Sequence, residues 1–467
     1  MRPFLMLPFF MRPPRFLLAL LLASAVPLHS FAQTPHTLTY APGKSITLSL
    51  PEDFDISIAA TGLRRVRFFA KAPDGRIFVT GMHDLSDNTN GSVFTLDGWN
   101  AQTHRFTRIT HYLDHLRNPN NLAFWTDPAT HQTWLYLPLT DKLVRYKYSP
   151  GDNAPTSPPQ TLMRFPDYGL SYKYGGWHLT RTVAIAEVNG AARVFVAAGS
   201  SCNYCQEREV LRAAIVSMDP DGQHPTLIAQ GMRNAVDLHA VPALNGALFA
   251  TNMGDDHLGD RLPEDTFFQV DPSPSAPLNF GWPTCYFAHG KPVQDSTPLP
   301  SITNAKAIAP TPAQSDSVYG KQSGVAAAGS NLTAGGGHSA EPDPNAALGH
   351  APAPLASCEH VPPAYTTFAA HSSPLGFAFF PQGDSLLHDS FLVALHGASH
   401  PRIGTGYRVV RFSPTDRKPR DFITGFLTML NGKPLVHGRP CGILRIAPDT
   451  FLLTDDYLGL VYYIHPR

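Results

Sequence analysis

Histidine and arginine side chains recur at matching places along this chain, directly before or after short apolar segments. The first is His178, which follows a glycine pair in residues 175–178. The glycines let the backbone approach a ligand closely, and His178 offers a base with a pKa near neutrality. The next is Arg233 with Asn234, which could bind a carboxylate or an oxyanion. Taken singly, His178 is better explained as a satisfied histidine at a strand end, whereas a surface ion pair and a turn asparagine explain Arg233 and Asn234 as well as ligand binding does.

An acidic, glycine-bearing turn follows in residues 252–260, which read Asn-Met-Gly-Asp-Asp-His-Leu-Gly-Asp. Backbone carbonyls in such a turn, with carboxylates nearby, suit a hard cation such as Ca²⁺. The spacing differs from that of an EF-hand, and no glutamate closes the loop. A solvated acidic turn is the alternative interpretation.

More cationic residues occupy the same kinds of position toward the C-terminus. They lie in residues 371–376, 396–402, 406–408 and 438–440, and include Arg402, Arg408 and Arg439. A protein with balanced charge that gathers cations at one place is suited to an anionic ligand.

These side chains must be positioned by short strands, and the sequence contains six similar segments that predict such strands. Each copy has a turn or polar residue, a compact apolar run and another polar cluster, in residues 74–79, 133–137, 192–196, 246–250, 390–394 and 450–454. No long stretch shows helical periodicity with caps. Repeated short strands predict an all-β, six-bladed β-propeller, because blades cannot bury their faces alone. Loops at one end of the blades then converge on a central channel.

The predicted blades are residues 58–110, 111–165, 166–225, 226–285, 365–430 and 431–467. The last is short, and a lead-in strand within residues 33–57 could complete it. Residues 288–357 are rich in Pro, Ala, Gly, Ser and Thr. We predict that they form a long low-complexity insertion between blades four and five, since this composition buries too little to offset its ordering entropy.

Charge and the N-terminus set the compartment and exclude some partners. Lys plus Arg and Asp plus Glu are each 36, so the net charge is zero, and no basic excess indicates nucleic acid or an anionic membrane. Within residues 1–32, Arg12 and Arg15 precede an apolar run at 16–26 and a small-x-small site at 30–32. This pattern predicts a signal peptide, a mature domain of residues 33–467, and a periplasmic or secreted protein without stable membrane insertion.

Five cysteines fit an oxidising compartment. Cys202 and Cys205 could form a local structural clip, since neither a thioredoxin-like context nor a histidine for c-type haem accompanies them. Cys285 and Cys358 flank the insertion, where a disulfide could staple its base. Cys441 is then left over and is predicted to be buried.

Seven motifs follow one another along the chain: Gly-Gly-Trp-His-Leu-Thr-Arg-Thr (175–182), Arg-Asn-Ala-Val (233–236), Leu-Gly-Asp-Arg-Leu-Pro (258–263), Phe-Gly-Trp-Pro-Thr-Cys-Tyr (280–286), His-Ser-Ser-Pro-Leu-Gly (371–376), Gly-Tyr-Arg-Val-Val-Arg (406–411) and Gly-Arg-Pro-Cys-Gly (438–442). As a set they resemble the soluble quinoprotein sugar dehydrogenases, in particular the sorbosone dehydrogenase-like branch. The resemblance covers about residues 60–465 apart from the insertion.

The resemblance implies a six-bladed propeller that binds pyrroloquinoline quinone (PQQ) and Ca²⁺ at the channel mouth. His178 would be the catalytic base, with Arg233 and Asn234 beside the quinone carbonyls. The remaining implied contacts are backbone carbonyls of Gly254 and Asp255 for Ca²⁺, side chains of Arg402, Arg408 and Arg439 for the cofactor carboxylates, and Asn120 and Asn121 as further polar cofactor contacts. The expected reaction is oxidation of an aldose, a sorbosone-like sugar or a related alcohol or aldehyde, by hydride transfer to the quinone. Electrons would pass to an external acceptor, since no haem motif is present.

Two other functions remain open from the residues. One is a Ca²⁺-dependent lactonase, which would need a carboxylate-rich metal centre; the arginines at 233, 402, 408 and 439 argue against it. The other is a propeller that binds a carbohydrate or a protein without chemistry, because fold alone does not fix function.

Overall fold

The computed structural model describes residues 32–166, 178–300, 348–349 and 353–467. Three expectations fall wholly or mainly outside the described residues. They concern the predicted signal peptide before Ala32, residues 175–177 of the first motif, and residues 301–347 and 350–352 of the predicted insertion.

The described residues form strands joined by turns, with short 3₁₀ helices that include Pro242–Leu244 and Pro401–Ile403. The strands, in chain order, are β1 (Gln33–Ala41), β2 (Lys44–Pro51), β3 (Phe54–Ala60), β4 (Val66–Lys71), β5 (Ile77–Gly81), β6 (Gly91–Asn100), β7 (Arg105–Leu116), β8 (Ala123–Thr126), β9 (Thr133–Pro138), β10 (Lys142–Tyr148), β11 (Gln160–Arg164), β12 (Arg181–Val188), β13 (Ala191–Ala198), β14 (Ala214–Met218), β15 (Thr226–Gln230), β16 (Ala235–Val241), β17 (Ala247–Asn252), β18 (Asp265–Val270), β19 (Leu278–Asn279), β20 (Cys285–Ala288), β21 (Lys291–Gln294), β22 (Thr366–Phe368), β23 (Pro374–Phe380), β24 (Ser390–Leu395), β25 (Arg408–Phe412), β26 (Arg420–Ile423), β27 (Leu427–Leu430), β28 (Lys433–Val436), β29 (Pro440–Ala447), β30 (Thr450–Asp455) and β31 (Leu460–Pro466).

These strands build a six-bladed β-propeller, as predicted. Blades one, two and five are the antiparallel sheets β4–β7, β8–β11 and β23–β26. Blade three is β12–β15, with β19 added parallel to β15. Blade four is β16, β17, β18 and β22, and blade six is β29, β30, β31 and β3. The first strands of the blades contact one another in a complete circle, from β4 through β8, β12, β16, β23 and β29 back to β4. They therefore surround the central channel.

The six repeated apolar runs are the second strands of the six blades: β5, β9, β13, β17, β24 and β30. Every residue of β9 and of β24 is buried. Each second strand lies in the middle of its sheet with neighbouring blades on both faces, so it carries an unbroken apolar run in place of alternation. This is why the repeat was visible in the sequence.

The ring closes through the N-terminal lead-in, which confirms that prediction. Strand β3 pairs antiparallel with β31, with Ile56 opposite Ile464, and becomes the outermost strand of blade six. Blade four also takes its outermost strand from a distance. Strand β22 follows the predicted insertion and pairs with β18, so the insertion leaves and re-enters the propeller at blade four before blade five begins at β23.

The first residues of the predicted insertion (288–357) are better ordered than their composition indicated. Strands β20 and β21 form a hairpin there. Buried Phe287 anchors this hairpin against Phe268 of blade four, with ring centroids 5.5 Å apart. An apolar anchor of this kind offsets the ordering cost that the surrounding Pro-rich sequence otherwise carries.

Buried threonine hydroxyls link one blade to the next around the channel. Thr80 Oγ1 of blade one donates to the carbonyl of Asn120 at 2.5 Å. Thr454 Oγ1 of blade six donates to the carbonyl of Arg67 at 2.6 Å. These bonds hold the backbone at Asn120 and Arg67 against the neighbouring blade.

Both predicted disulfides, Cys202–Cys205 and Cys285–Cys358, are present. Cys441 is free and buried, as expected, and burial raises the pKa of its thiol to about 12. Within the described residues, no helix combines the length and apolar character needed to cross a bilayer.

Candidate active site

A cavity of about 250 Å³ opens at the mouth of the central channel. Its walls come from the starts of first strands and the ends of second strands in five of the six blades, and they include Arg67, His178, Asn234, Met253, His396 and Arg439. The placement of His and Arg at strand ends therefore brings two histidines and two arginines to one hollow.

His178 stands just before β12 and lines this cavity. Its Nδ1 lies 3.0 Å from the carbonyl oxygen of Ser200 and 2.9 Å from the Ser200 hydroxyl, which itself donates to Cys202 O. Both neighbours thus accept, so Nδ1 carries the proton and Nε2 is the basic nitrogen. Burial, then the charge of Arg233, hold the pKa of His178 well below its usual value. The side chain is a neutral base at physiological pH.

Arg233 lies at the start of β16 and is almost fully buried. Its Nε donates to Asn203 O at 2.9 Å, and its Nη2 donates to Asn203 Oδ1 at 2.6 Å. Its Nη1 donates to Gly254 O at 2.5 Å, and Asp256 Oδ2 is 3.5 Å from Nη2. The guanidinium is therefore fixed in orientation and partly neutralised.

Asn234 is adjacent to His178 in space. A side-chain carbon at Gly199 would lie only 2.4 Å from His178 Cβ and 2.5 Å from Asn234 Oδ1, so both residues pack directly against this glycine. Asn234 Nδ2 contacts Met253 Sδ at 3.4 Å. Its buried Oδ1 has no hydrogen-bond partner among the described residues, which leaves a polar atom for a ligand at the cavity wall.

Arg439 is a buried cation on the blade-six side of the cavity. Its hydrogen bonds go to Ala398 O at 2.8 Å, the Tyr407 hydroxyl at 2.6 Å, Gly397 O at 3.2 Å and His396 Nδ1 at 3.2 Å. All four partners are uncharged, and within the described residues its Nε has none. Burial lowers the pKa of His396 to about 4, so this partner is neutral. A buried guanidinium without a carboxylate favours an anionic ligand.

Arg67 is a further cation in the cavity wall. Asn120 Oδ1 accepts bonds from its Nη2 at 2.9 Å and its Nε at 3.3 Å, and Asp456 Oδ2 lies 3.4 Å from Nη1. Arg67 is not among the site residues predicted from the sequence, although it stands at the start of a first strand, and Arg233 lies just before one. Applying the same positional rule to blade one would have found it.

The two predicted asparagines of blade two act inside the protein. Asn120 is fully buried and supports Arg67, while its Nδ2 donates to Thr182 Oγ1 and Val236 O. Asn121 accepts a bond from Val183 N and donates to Val183 O, which joins blades two and three. Neither lines the cavity, so their position supports a structural contribution to the site.

Arg402 and Arg408 also lie elsewhere. Arg402 is exposed and pairs with Asp260 at 3.2 Å, and Arg408 pairs with Asp421 at 2.9 Å. Arg408 begins the third strand of its blade and reaches outward to the fourth. The expectation that these two arginines bind cofactor carboxylates does not fit their positions.

The predicted calcium ligands Gly254 and Asp255 follow β17. The Gly254 carbonyl already accepts the Arg233 guanidinium, and its N–H donates to Asp265 Oδ1 at 2.8 Å. Asp255 Oδ1 is 2.8 Å from His257 Nδ1. A divalent cation on the Gly254 carbonyl would lie against a guanidinium, and like charges at that separation repel strongly. As arranged, these residues do not fit Ca²⁺.

Comparison with known proteins decides the family. A model described as TrAA12-like matches residues 120–424, which is more than half of the chain. This chain belongs to the TrAA12-like family. No curated protein matches it. The match spans blades two to five, and so includes His178 and Asn234 of the cavity wall and Arg233 next to Asn234 in the chain.

Solved structures share the fold of this TrAA12-like protein at low sequence identity. The holo form of the pyranose dehydrogenase PQQ domain from Coprinopsis cinerea is 16% identical, with 90% of this chain and 97% of that chain covered and a TM-score of 0.60. A calcium structure of a Trichoderma reesei family AA12 enzyme is 15% identical, with the same coverage and a TM-score of 0.58. The PQQ-bound aldose sugar dehydrogenase from Streptomyces coelicolor is 16% identical, covers 90% and 100%, and has a TM-score of 0.50.

Proposed function

We propose that this TrAA12-like protein is an exported PQQ-dependent dehydrogenase that oxidises a hydroxyl or aldehyde group of an aldose or related sugar. The observation that carries the proposal is the pairing of a neutral, Nδ1-protonated His178 with buried cations in a single cavity. The PQQ-containing relatives of the same fold support the choice of cofactor.

The residues present fit PQQ, which is a planar tricarboxylate. Arg439 is a buried guanidinium with uncharged partners only, and Arg67 adds a second cation to the same wall. Arginine binds carboxylates through paired N–H donors, so these two residues would hold the anionic groups. When bound, PQQ would supply the two-electron acceptor, and the protein would supply position and field.

His178 would bind the substrate hydroxyl through Nε2 and remove its proton as hydrogen leaves the adjacent carbon as hydride. Its Nδ1–H bond to the Ser200 carbonyl keeps the ring in the required tautomer. Burial, together with the charge of Arg233, keeps His178 unprotonated, and Arg233 would stabilise negative charge that develops nearby. The unpaired Oδ1 of Asn234 would accept a hydrogen bond from a second substrate hydroxyl.

We assign no step to Ca²⁺, because Arg233 occupies the Gly254 carbonyl. The remaining parts of the proposal rest on sequence: a signal peptide at residues 1–32, a propeller domain at residues 33–467 with an insertion at 288–357, and a separate electron acceptor. Electrons must leave through such an acceptor, since the chain has no haem motif.

The test is an absorbance titration of the purified mature protein with PQQ, followed by a dye-linked assay with several aldoses. We expect saturable binding and sugar oxidation, and His178→Ala should abolish turnover while it leaves PQQ binding measurable. Arg439→Gln should weaken PQQ binding, whereas Arg408→Gln, at a surface ion pair, should not. Absence of PQQ binding, or equal effects of the two arginine substitutions, would refute the proposal.

A further inference from the structure

The loop of residues 200–205 connects to both proposed catalytic side chains. It follows β13 and is closed by the buried Cys202–Cys205 disulfide. His178 and Arg233 precede the first strands of two consecutive blades, so they do not share a strand that could fix their relative position. This loop is the element that contacts the two together.

Ser200 provides the contact to His178. The Ser200 carbonyl and hydroxyl both face His178 Nδ1, and the hydroxyl donates its own hydrogen to Cys202 O at 2.6 Å. Ser200 N is bound in turn to Arg233 O at 2.7 Å. The serine is fully buried. The orientation of the His178 ring therefore depends on the conformation of a backbone segment that the disulfide constrains.

Asn203 lies between the two cysteines and provides the contact to Arg233. Its carbonyl accepts from Arg233 Nε at 2.9 Å, and its Oδ1 accepts from Nη2 at 2.6 Å. The same Oδ1 accepts the N–H of Asp256 at 3.0 Å, and Asp256 is the carboxylate beside Arg233. One side chain thus orients the cation and the turn that bears its counter-ion.

Tyr204 anchors the far side of the loop. Its ring stacks on His257 at a centroid distance of 3.9 Å, and its hydroxyl donates to Thr297 O at 2.6 Å. The two nitrogens of His257 each lie 2.8 Å from a buried carboxylate, that of Asp255 and that of Asp295. Burial opposes protonation of His257, but the two carboxylates outweigh it and raise the pKa of the ring, and positive charge on a tyrosine face stabilises the stack.

We propose that the disulfide-closed loop 200–205 sets the geometry of the active site, with Ser200 and Asn203 as positioning residues for His178 and Arg233. The inference rests on the proposed function for its kinetic consequences only. The loop acts through other side chains: it fixes the tautomer of the base and the orientation of the cation.

The experiment compares Asn203→Ala, Asn203→Asp and the double variant Cys202→Ser/Cys205→Ser with the wild-type protein. Asn203→Ala should lower kcat by about 10- to 100-fold, the usual effect of removing a residue that supports an active group, with little change in KM. Asn203→Asp should restore much of kcat, because its carboxylate accepts the same bonds. Cys285→Ser/Cys358→Ser is the matched control, since it removes the other disulfide and should leave kcat near wild type.

A second readout does not need activity. In ¹⁵N-histidine spectra of the protein without cofactor, His178 should be a single Nδ1-protonated tautomer, assigned from its absence in His178→Ala. The Cys202→Ser/Cys205→Ser variant should show tautomer exchange, and the control variant should not. An unchanged His178 signal, together with wild-type kcat in Asn203→Ala, would overturn the inference. A wild-type protein that neither binds PQQ nor oxidises sugars would instead refute the proposed function, and the spectra would still decide the part played by the loop.

Discussion

Asn120 is a buried side chain that links Arg67 of blade one to blades three and four. The loss of free energy of unfolding on its removal can be calculated from its hydrogen bonds. Its Oδ1 accepts two N–H bonds from Arg67, and its Nδ2 donates to Thr182 and Val236. The contact with Arg67, counted as one charge-assisted interaction, contributes about 1.5–3 kcal/mol, and the two neutral bonds contribute about 1 kcal/mol each. Asn120→Ala should therefore lower the free energy of unfolding by roughly 4 kcal/mol. For a domain of this length, the usual unfolding entropy per residue converts this loss to a drop in Tm of about 4 °C.

The assay is urea unfolding followed by fluorescence, with Asn153→Ala at an exposed position as the control. Asn120→Asp sharpens the test. It keeps an acceptor for Arg67 but places its second oxygen against the Val236 carbonyl, where Thr182 Oγ1 already donates. We therefore expect this variant to be destabilised as well, despite the new ion pair. A loss below about 1 kcal/mol for Asn120→Ala, which many surface substitutions reach, would refute the reasoning.

Three further predictions concern the proposed site. Because the pKa of His178 lies well below its usual value, kcat should stay constant as the pH falls through 6.5 and decline only at lower pH; an acid limb near 6.5 would contradict this. Since Arg233 occupies the Gly254 carbonyl, treatment with EDTA should leave the PQQ titration unchanged, and a lost titration that Ca²⁺ restores would show that the metal displaces the guanidinium. Gly199→Ala would push a carbon into His178 and Asn234, so it should lower both stability, by about 1–3 kcal/mol, and turnover; thermal unfolding and dye-linked assays check this, and a wild-type profile would contradict it.

The fold could be predicted because each propeller blade requires the same sequence pattern, which therefore recurs along the chain. A second strand is buried on both faces, so its apolar run is continuous and stands out six times. The outermost strands carry weaker signals. Blade four takes β22 from beyond the insertion, and blade six takes β3 from the N-terminal lead-in. The pairing of β3 with blade six could be predicted because the last blade was too short. The pairing of β22 with blade four could not, because a strand of three residues at 366–368 has no recognisable sequence pattern.

Site residues could be predicted correctly only where the sequence indicated which strand of a blade follows them. Residues before a first strand reach the cavity at the channel mouth, which holds for His178 and Asn234. Arg408 stands at the start of a third strand with a similar local sequence, and there the side chain reaches the blade edge and Asp421. Local sequence does not distinguish a first from a third strand. The loop residues Ser200 and Asn203 were missed for another reason: much of their contribution is through carbonyl oxygens, which every residue type possesses.

The distribution of charge around the cavity places the proposed anion-binding group and the proposed catalytic base on different sides. Arg233 has Asp256 beside it and Arg67 has Asp456, whereas the guanidinium of Arg439 has no carboxylate partner within the described residues. An anionic ligand therefore gains most on the side of blade six. The base His178 belongs to blade three, and in a ring of six the third and sixth blades face each other. It follows that substitutions on the blade-six side should act on affinity, and that substitutions at blade three and its disulfide-closed loop should act on turnover. If the base and the anion-binding group shared one wall, a substitution there would change both affinity and turnover.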